Sequence, residues 1–303
     1  MDSYRYSVIV FTGTVPPSLM NMRKLVYLFL RFNIFSGTIP KCWGHLNKLT
    51  YLYISFNQFS GDFPLGGVLA NFSKLTNFFI NSNHFENSLP LDFYKLSKLQ
   101  LLNISDCHFS GTVQSEFGSM KELIDVDISI NILTSTLPSQ INALTKLKTF
   151  IAKSNEFIGS PSLIFNNSLE LNVLDLSDNQ FTSTVPHDLF SLPNLEILAL
   201  VKNCFSGTLD SSICEAKHLR ALALDGLSTS RKCAGAGQNK VAQLLSSNSM
   251  RGSLPDCLWK LDNIVTLHVA GNAFTGTLRD ISSNHSMRDL NLAHNRYIPS
   301  FFL

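Results

Sequence analysis

Residues Leu171 to Asn194 read LNVLDLSDNQFTSTVPHDLFSLPN, and the same skeleton can be laid over almost every other part of the chain. With Leu171 as position one, apolar residues fall at positions one, four and six (Leu171, Leu174, Leu176). Asn179 follows at nine, Phe181 at eleven, Pro186 at sixteen, and apolar residues again at nineteen and twenty-two (Leu189, Leu192). Self-similarity at a fixed period is the signature of a repeat architecture, in which each unit buries its apolar face only against its neighbours. After a partial first unit, repeats start at Leu25, Leu49, Leu75, Leu99, Leu123, Leu147, Leu171, Leu195, Leu219, Ile264 and Met287, and eight of the ten spacings are 24 or 23 residues. The Leu49 unit holds two extra residues near Leu65 to Val68, and the Leu219 unit holds 21. The expectation is one elongated domain over residues 1–303, with about 11–12 repeats and a loop insertion at residues 228–250.

Each unit has a physical logic. The LxxLxL core predicts a short strand whose alternate side chains point inward. Stacked units then form a parallel sheet, and the amide at position nine can satisfy backbone groups that the following turn leaves unpaired. Asn33, Asn57, Asn83, Asn131, Asn155, Asn179, Asn203, Asn272 and Asn295 make up that predicted ladder, with Cys107 in its place in one unit and Leu227 in another. Phe35, Phe59, Phe85, Phe109, Phe157, Phe181, Phe205 and Phe274 are expected to stack as a second buried row. Burial at about 1.5–3 kcal/mol per side chain accounts for them without any functional role.

The segment after the Phe reads SGTIP at Ser36–Pro40, SGDFP at Ser60–Pro64, SGTV at Ser110–Val113, TSTVP at Thr182–Pro186, SGTL at Ser206–Leu209, RGSLP at Arg251–Pro255 and TGTL at Thr275–Leu278. Its Gly suits a tight turn, and its Pro a place that donates no ladder hydrogen bond. The full pattern LxxLxLxxNxFSGxIP resembles the plant-type leucine-rich repeat. That resemblance implies a right-handed leucine-rich-repeat superhelix with a parallel β-sheet on its concave face. The same repeat builds ectodomains of plant receptor-like kinases and receptor-like proteins, polygalacturonase inhibitors and surface antigens of some protists. In steroid-binding plant receptor kinases a larger island interrupts the repeats and helps form the ligand pocket, which makes residues 228–250 a point of interest.

Composition narrows the function. A net charge of +2 with 15% charged residues gives no basic field suited to phosphate backbones, so nucleic acid is not an expected partner. Neither a signal peptide nor a run of about 20 apolar residues is legible, so any membrane anchor is expected outside this sequence. Met1 already sits at position one of a repeat, and Asn295 is followed only by YIPSFFL, so neither end carries a polar cap and a fragment is expected. Four of the six cysteines lie within the 54 residues from Cys204 to Cys257. Cys214, Cys233 and Cys257 are disulfide candidates, with Cys233 bonded to either of the other two to clip the insertion, while Cys42 and Cys107 read as lone thiols. No CxxC or paired His lies nearby, so neither a metal nor any other cofactor is expected. Asn71, Asn103, Asn166 and Asn284 begin N-x-S/T sequons and are glycosylation candidates, which together with a disulfide favours an extracellular or cell-surface location. A glycan on Asn103, at position five, would obstruct the middle of the sheet.

Function is expected on the concave sheet, at positions three, five, seven and eight, which face away from the core across roughly 50 Å of stacked strands. The first units present Tyr27, Phe29, Arg31, Phe32, Tyr51, Tyr53, Phe56 and Phe79 there, and nothing in the packing of a repeat requires aromatics at those positions. Such a patch marks a contact site. The middle units present Asp106, Asp125, Asp127, Asp175 and Asp178 with Lys153, read as solvated side chains, and His268 and His294 read as exposed polar variation. No catalytic residue is assigned. The expectation is a non-enzymatic ectodomain of a receptor or surface antigen, binding a protein, a peptide, a carbohydrate or a second copy of itself. The alternatives are a secreted inhibitor of a wall-degrading glycosidase and a soluble interaction scaffold.

Overall fold

The computed structural model describes residues 10–62, 68–226, 248–276 and 286–296. Each of these units contributes one strand to a parallel sheet of 11 strands, laid side by side in chain order. The strands are Tyr27–Phe29, Tyr51–Tyr53, Asn77–Phe79, Leu101–Asn103, Asp125–Asp127, Thr149–Ile151, Val173–Asp175, Ile197–Ala199, Ala221–Ala223, Thr266–His268 and Asp289–Asn291. Pairing follows the repeat, so that Asp125, Val126 and Asp127 lie opposite Thr149, Phe150 and Ile151. The middle residue of each of the first ten triplets (Leu28, Leu52, Phe78, Leu102 and Val126 among them) is buried, and its two neighbours face the other way, as period-two geometry requires; in the last strand Leu290 is exposed.

The SGT segments differ from expectation. They are not turns alone: the stretch from position ten to position thirteen or fourteen is itself extended and pairs with its counterparts in a second parallel sheet. Among the described residues this forms one run of eight strands, Thr12–Gly13 to Gln180–Phe181, and another of three, Ser206–Gly207, Ser249–Gly252 and Ala273–Phe274. The glycines lie at or one residue before the ends of these strands, in the left-handed region. Gly207 has a φ of +76°, and a Cβ there would lie 2.7 Å from Thr184 Cγ2 of the unit before, so both the backbone and the space call for Gly. After the Pro the chain turns into a short 3-10 helix, as at Lys41–His45 behind Pro40 and Leu91–Lys95 behind Pro90. The buried side chains of these helices (Trp43, Phe93, Phe117, Ile141) close the back of the core.

Both buried rows are present. The position-eleven rings stack face to face with centroids 6.3 Å apart for Phe35–Phe59 and Phe59–Phe85, and 6.2 Å for Phe157–Phe181. The amides bridge units in the same way each time. Asn57 Oδ1 accepts the Phe35 N–H of the preceding unit at 3.0 Å, while its Nδ2 donates to the carbonyls of Leu30 and Ile54 at 2.9 and 3.0 Å. Cys107 is buried at its ladder position, its Sγ lies 3.6 Å from the Ile80 carbonyl, and burial pushes its thiol up to about 12.

Two expectations around the insertion are corrected. The ladder is not broken in the Leu219 unit, because Asn248 occupies the rung: its Oδ1 accepts the Phe205 N–H at 3.0 Å and its Nδ2 donates to Leu200 and Leu224 carbonyls at 2.9 and 3.1 Å. The inserted stretch therefore ends before Asn248 rather than at residue 250, and the strand Ser249–Gly252 belongs to the repeat. Cys214 is bonded to Cys257, with Cα atoms 5.7 Å apart, and not to Cys233. The reason is the stack itself: the two cysteines sit on the 3-10 helices Ser211–Glu215 and Asp256–Lys260 of successive units, which pack against each other. Cys204 is also disulfide-bonded, while Cys42 and Cys107 are free. Cys233, Leu227 and Asn284 lie outside the described residues.

Candidate recognition face

The 11-stranded sheet presents its first, third and further odd-numbered side chains away from the core, and its first three strands gather the aromatic residues. Tyr27 and Tyr51 occupy equivalent positions in neighbouring strands and stack at 5.0 Å; Phe29 and Tyr53, likewise paired, lie 5.0 Å apart with their planes tilted by 47°. Tyr53 stacks in turn on Phe79 at 4.5 Å with planes 5° apart, and its hydroxyl accepts a hydrogen bond from Asn77 Nδ2 at 3.1 Å. Just beyond the strands Phe32 and Phe56 stack at 4.7 Å, with the Arg31 guanidinium 5.6 Å from the Phe32 centroid. The structure thus gathers these eight side chains into two groups, five rings on the strands and Arg31, Phe32 and Phe56 just beyond them.

Two features separate this patch from ordinary packing. First, the rings are in the open: Tyr27 and Phe29 are each 57% exposed, Phe32 61% and Phe56 46%, whereas the ring at the core position of the third strand, Phe78, is fully buried. Second, Phe32 and Phe56 adopt φ values of 59° and 56°. Position eight takes the left-handed conformation in every unit from Phe32 to Lys202, a requirement of the turn, and bulky side chains are poorly suited to it. Aromatic residues there cost local backbone energy and do not fill the core.

The middle of the face is polar, and its carboxylates are partly occupied by the backbone. Asp127 Oδ1 accepts the Ser129 N–H at 3.0 Å and its Oγ–H at 2.6 Å, and Asp175 Oδ1 accepts the Ser177 N–H at 3.0 Å. Asn103 does the same for Ser105, so its side chain is half-buried and its Oδ1 engaged, not freely displayed as the sequence suggested. Of the other sequons, Asn71 and Asn166 are exposed. Between the aromatic strands and the acidic ones lies a shallow hollow of about 210 Å³ lined by Phe79, Leu101, Leu102, Asn103, Asp125, Val126, Asp127 and Thr149. Sequence reasoning missed it, since its depth depends on the relative sizes of side chains on four neighbouring strands.

At the far end His268 is not a bystander on the surface. Its Nε2 lies 2.9 Å from Asp289 Oδ2 and its Nδ1 3.8 Å from Asp225 Oδ2. Burial raises the Asp225 carboxyl above its ordinary value, against the lowering effects of the Ala270 N–H that it accepts and of His268. His294 is exposed. Among the described residues no group of three or more His, Cys, Asp or Glu is placed to hold a metal ion, and no helix is long and apolar enough to cross a membrane.

Comparison with known proteins agrees with the architecture. The Leucine Rich Repeat family model matches residues 24–46, 48–67, 98–120 and 170–192. A calmodulin-binding receptor kinase of Arabidopsis thaliana, CaMRLK, is 40% identical over 57 residues, 18% of this chain and 9% of the relative. Receptor like protein 22 of Arabidopsis thaliana is 38% identical over 60 residues, 19% of this chain and 8% of the relative. Among solved structures, the plant peptide hormone receptor RGFR1, in complex with RGF2, superposes with a TM-score of 0.85 at 28% identity, over 95% of this chain and 43% of that one. The chain is a solenoid of leucine-rich repeats, similar in sequence to plant receptor kinases and receptor-like proteins, and it spans less than half the length of the receptor whose structure it matches.

Proposed function

We propose that this solenoid is the non-catalytic recognition segment of a cell-surface receptor, and that it binds an extended peptide across the first strands of its long sheet. The observation that carries this proposal is the set of neighbouring rings on the outer face, Tyr27, Phe29, Phe32 and Phe56 exposed and Tyr51 and Tyr53 half-buried, which the repeat does not need. Rigid aromatic side chains lose little entropy on contact and dominate the energetics of interfaces, and Arg31 beside them is of the type favoured there. The similarity to a peptide hormone receptor supports a peptide over a carbohydrate, and the similarity to receptor kinases and receptor-like proteins supports an extracellular position.

The test uses a display pool of random linear peptides panned on the native chain and on Tyr51→Ala with Tyr53→Ala. Loss of two central rings is expected to reduce retention at least tenfold, since hot-spot side chains each contribute about 2 kcal/mol or more. Stability should fall by only about 1–2 kcal/mol, the worth of the lost ring contacts, shifting Tm by a few degrees. Equal retention on both proteins would refute the assignment, and a collapse in Tm would show that the rings are core.

A further inference from the structure

The hollow beside the aromatic patch has a chemistry of its own. Phe79 and Leu101 give it apolar walls, and Asp125 and Asp127 give it two carboxylates. Asp127 spends Oδ1 on Ser129, and its Oδ2 has only the Asn103 amide, at 3.5 Å, so it retains accepting capacity. Among the described residues Asp125 forms no side-chain hydrogen bond or ion pair. A hollow lined by both apolar side chains and carboxylates suits a side chain that is apolar along its stem and cationic at its tip. The Phe79 ring can face a guanidinium or ammonium, and carboxylates bind either cation by charge-assisted hydrogen bonds. The surrounding field has the same sign: Asp106, Asp175 and Asp178 lie on the same face, with Lys153 among them and Lys202 one unit beyond Asp178.

We propose that this hollow is a subsite for an arginine or lysine side chain of the bound peptide, whose bulky apolar residues lie on the neighbouring aromatic patch. The inference rests on the peptide-recognition role of this face. It also fixes a spacing. From Tyr51–Tyr53 to Asp125–Asp127 is three steps in the sheet, about 14 Å, and an extended peptide advances about 3.3 Å per residue, so the basic residue stands about four positions from the apolar ones.

The variant that removes the charge is Asp125→Asn with Asp127→Asn. It keeps the fold, because Asn103 already caps Ser105 in the way that Asp127 caps Ser129. The proteins are produced without N-glycosylation, since Asp127→Asn creates a sequon with Ser129 and a glycan on Asn103 would fill the hollow. Peptides selected from the random linear pool on the native chain are expected to carry Arg or Lys about four positions from Phe, Tyr, Leu or Pro. Replacing that basic residue by Ala in a selected peptide should weaken binding to the native chain about 30-fold or more, and to the charge-free variant less than about threefold. If basic residues are not enriched, or the Ala peptide loses equally on both proteins, while Tyr51→Ala with Tyr53→Ala still abolishes binding, the subsite is overturned and the recognition face stands. If the native chain selects no peptide, or the tyrosine variant selects the same set, the recognition face is overturned and the subsite with it.

Discussion

Asn155→Ala is expected to cost about 4 kcal/mol, far more than the size of the change suggests. Asn155 is 1% exposed, and its Oδ1 accepts the Leu133 N–H at 3.0 Å while its Nδ2 donates to the Ile128, Ala152 and Lys153 carbonyls at 3.0, 3.2 and 3.3 Å. Two of those carbonyls keep another amide, because Asn131 also donates to Ile128 and Asn179 to Ala152. The Leu133 N–H keeps nothing, and a buried donor without an acceptor costs about 1–3 kcal/mol beyond the bonds lost. Asn155→Cys should lose roughly half as much, since Cys107 shows that a thiol is accommodated on a rung. Denaturant unfolding monitored by circular dichroism measures both. Because each unit is held only by its neighbours, the alanine lesion should also broaden the transition, as the two flanking segments uncouple.

Phe157→Ala should cost a similar 3–5 kcal/mol, by a different route. The ring is fully buried, stacked on Phe181 at 6.2 Å with planes 15° apart, and alanine leaves a cavity in a row that has no loop able to collapse into it. Phe157→Leu should cost only about 1–1.5 kcal/mol, because the same row already accepts Leu133 and Met250 where other units have Phe. If leucine were as damaging as alanine, ring stacking rather than apolar volume would be what the row requires.

The sequence made the buried half of this molecule legible, because burial follows the period of the chain. Once Leu171, Leu174 and Leu176 are seen to recur every 24 residues, the strands, the amide ladder and the Phe row follow from side-chain alternation and hydrogen-bond accounting. The second sheet was hidden because Ser, Gly and Thr read as turn formers, and only the stacking of one unit on the next supplies their ladder partners. The rung at Asn248 was hidden because counting nine residues from Leu219 lands on Leu227, whereas the partner is set by space and lies 21 residues further along the chain. The Cys214–Cys257 bond turns on the same point, since the cysteines of successive return segments are adjacent in the stack while lying 43 residues apart in the chain. On the proposed recognition face, Tyr27, Phe29, Tyr51, Tyr53 and Phe79 were legible from strand alternation, and Phe32 and Phe56 from their place in the repeat just beyond the strands. The hollow was not, because its lining side chains come from four neighbouring strands and meet only in the stack.

The central claim is that ligand lies on the rings of the first strands, and tyrosine-selective labelling read by mass spectrometry addresses it most directly. Tyr27 is exposed and Tyr51 and Tyr53 half-buried, whereas Tyr94 is buried and its hydroxyl accepts the Gln114 N–H. With a selected peptide at saturation, labelling of Tyr27, Tyr51 and Tyr53 should fall several-fold while Tyr94 stays unlabelled throughout. If the peptide is bound and those three tyrosines label as they do in the free chain, the peptide sits elsewhere and the aromatic face is not the recognition site.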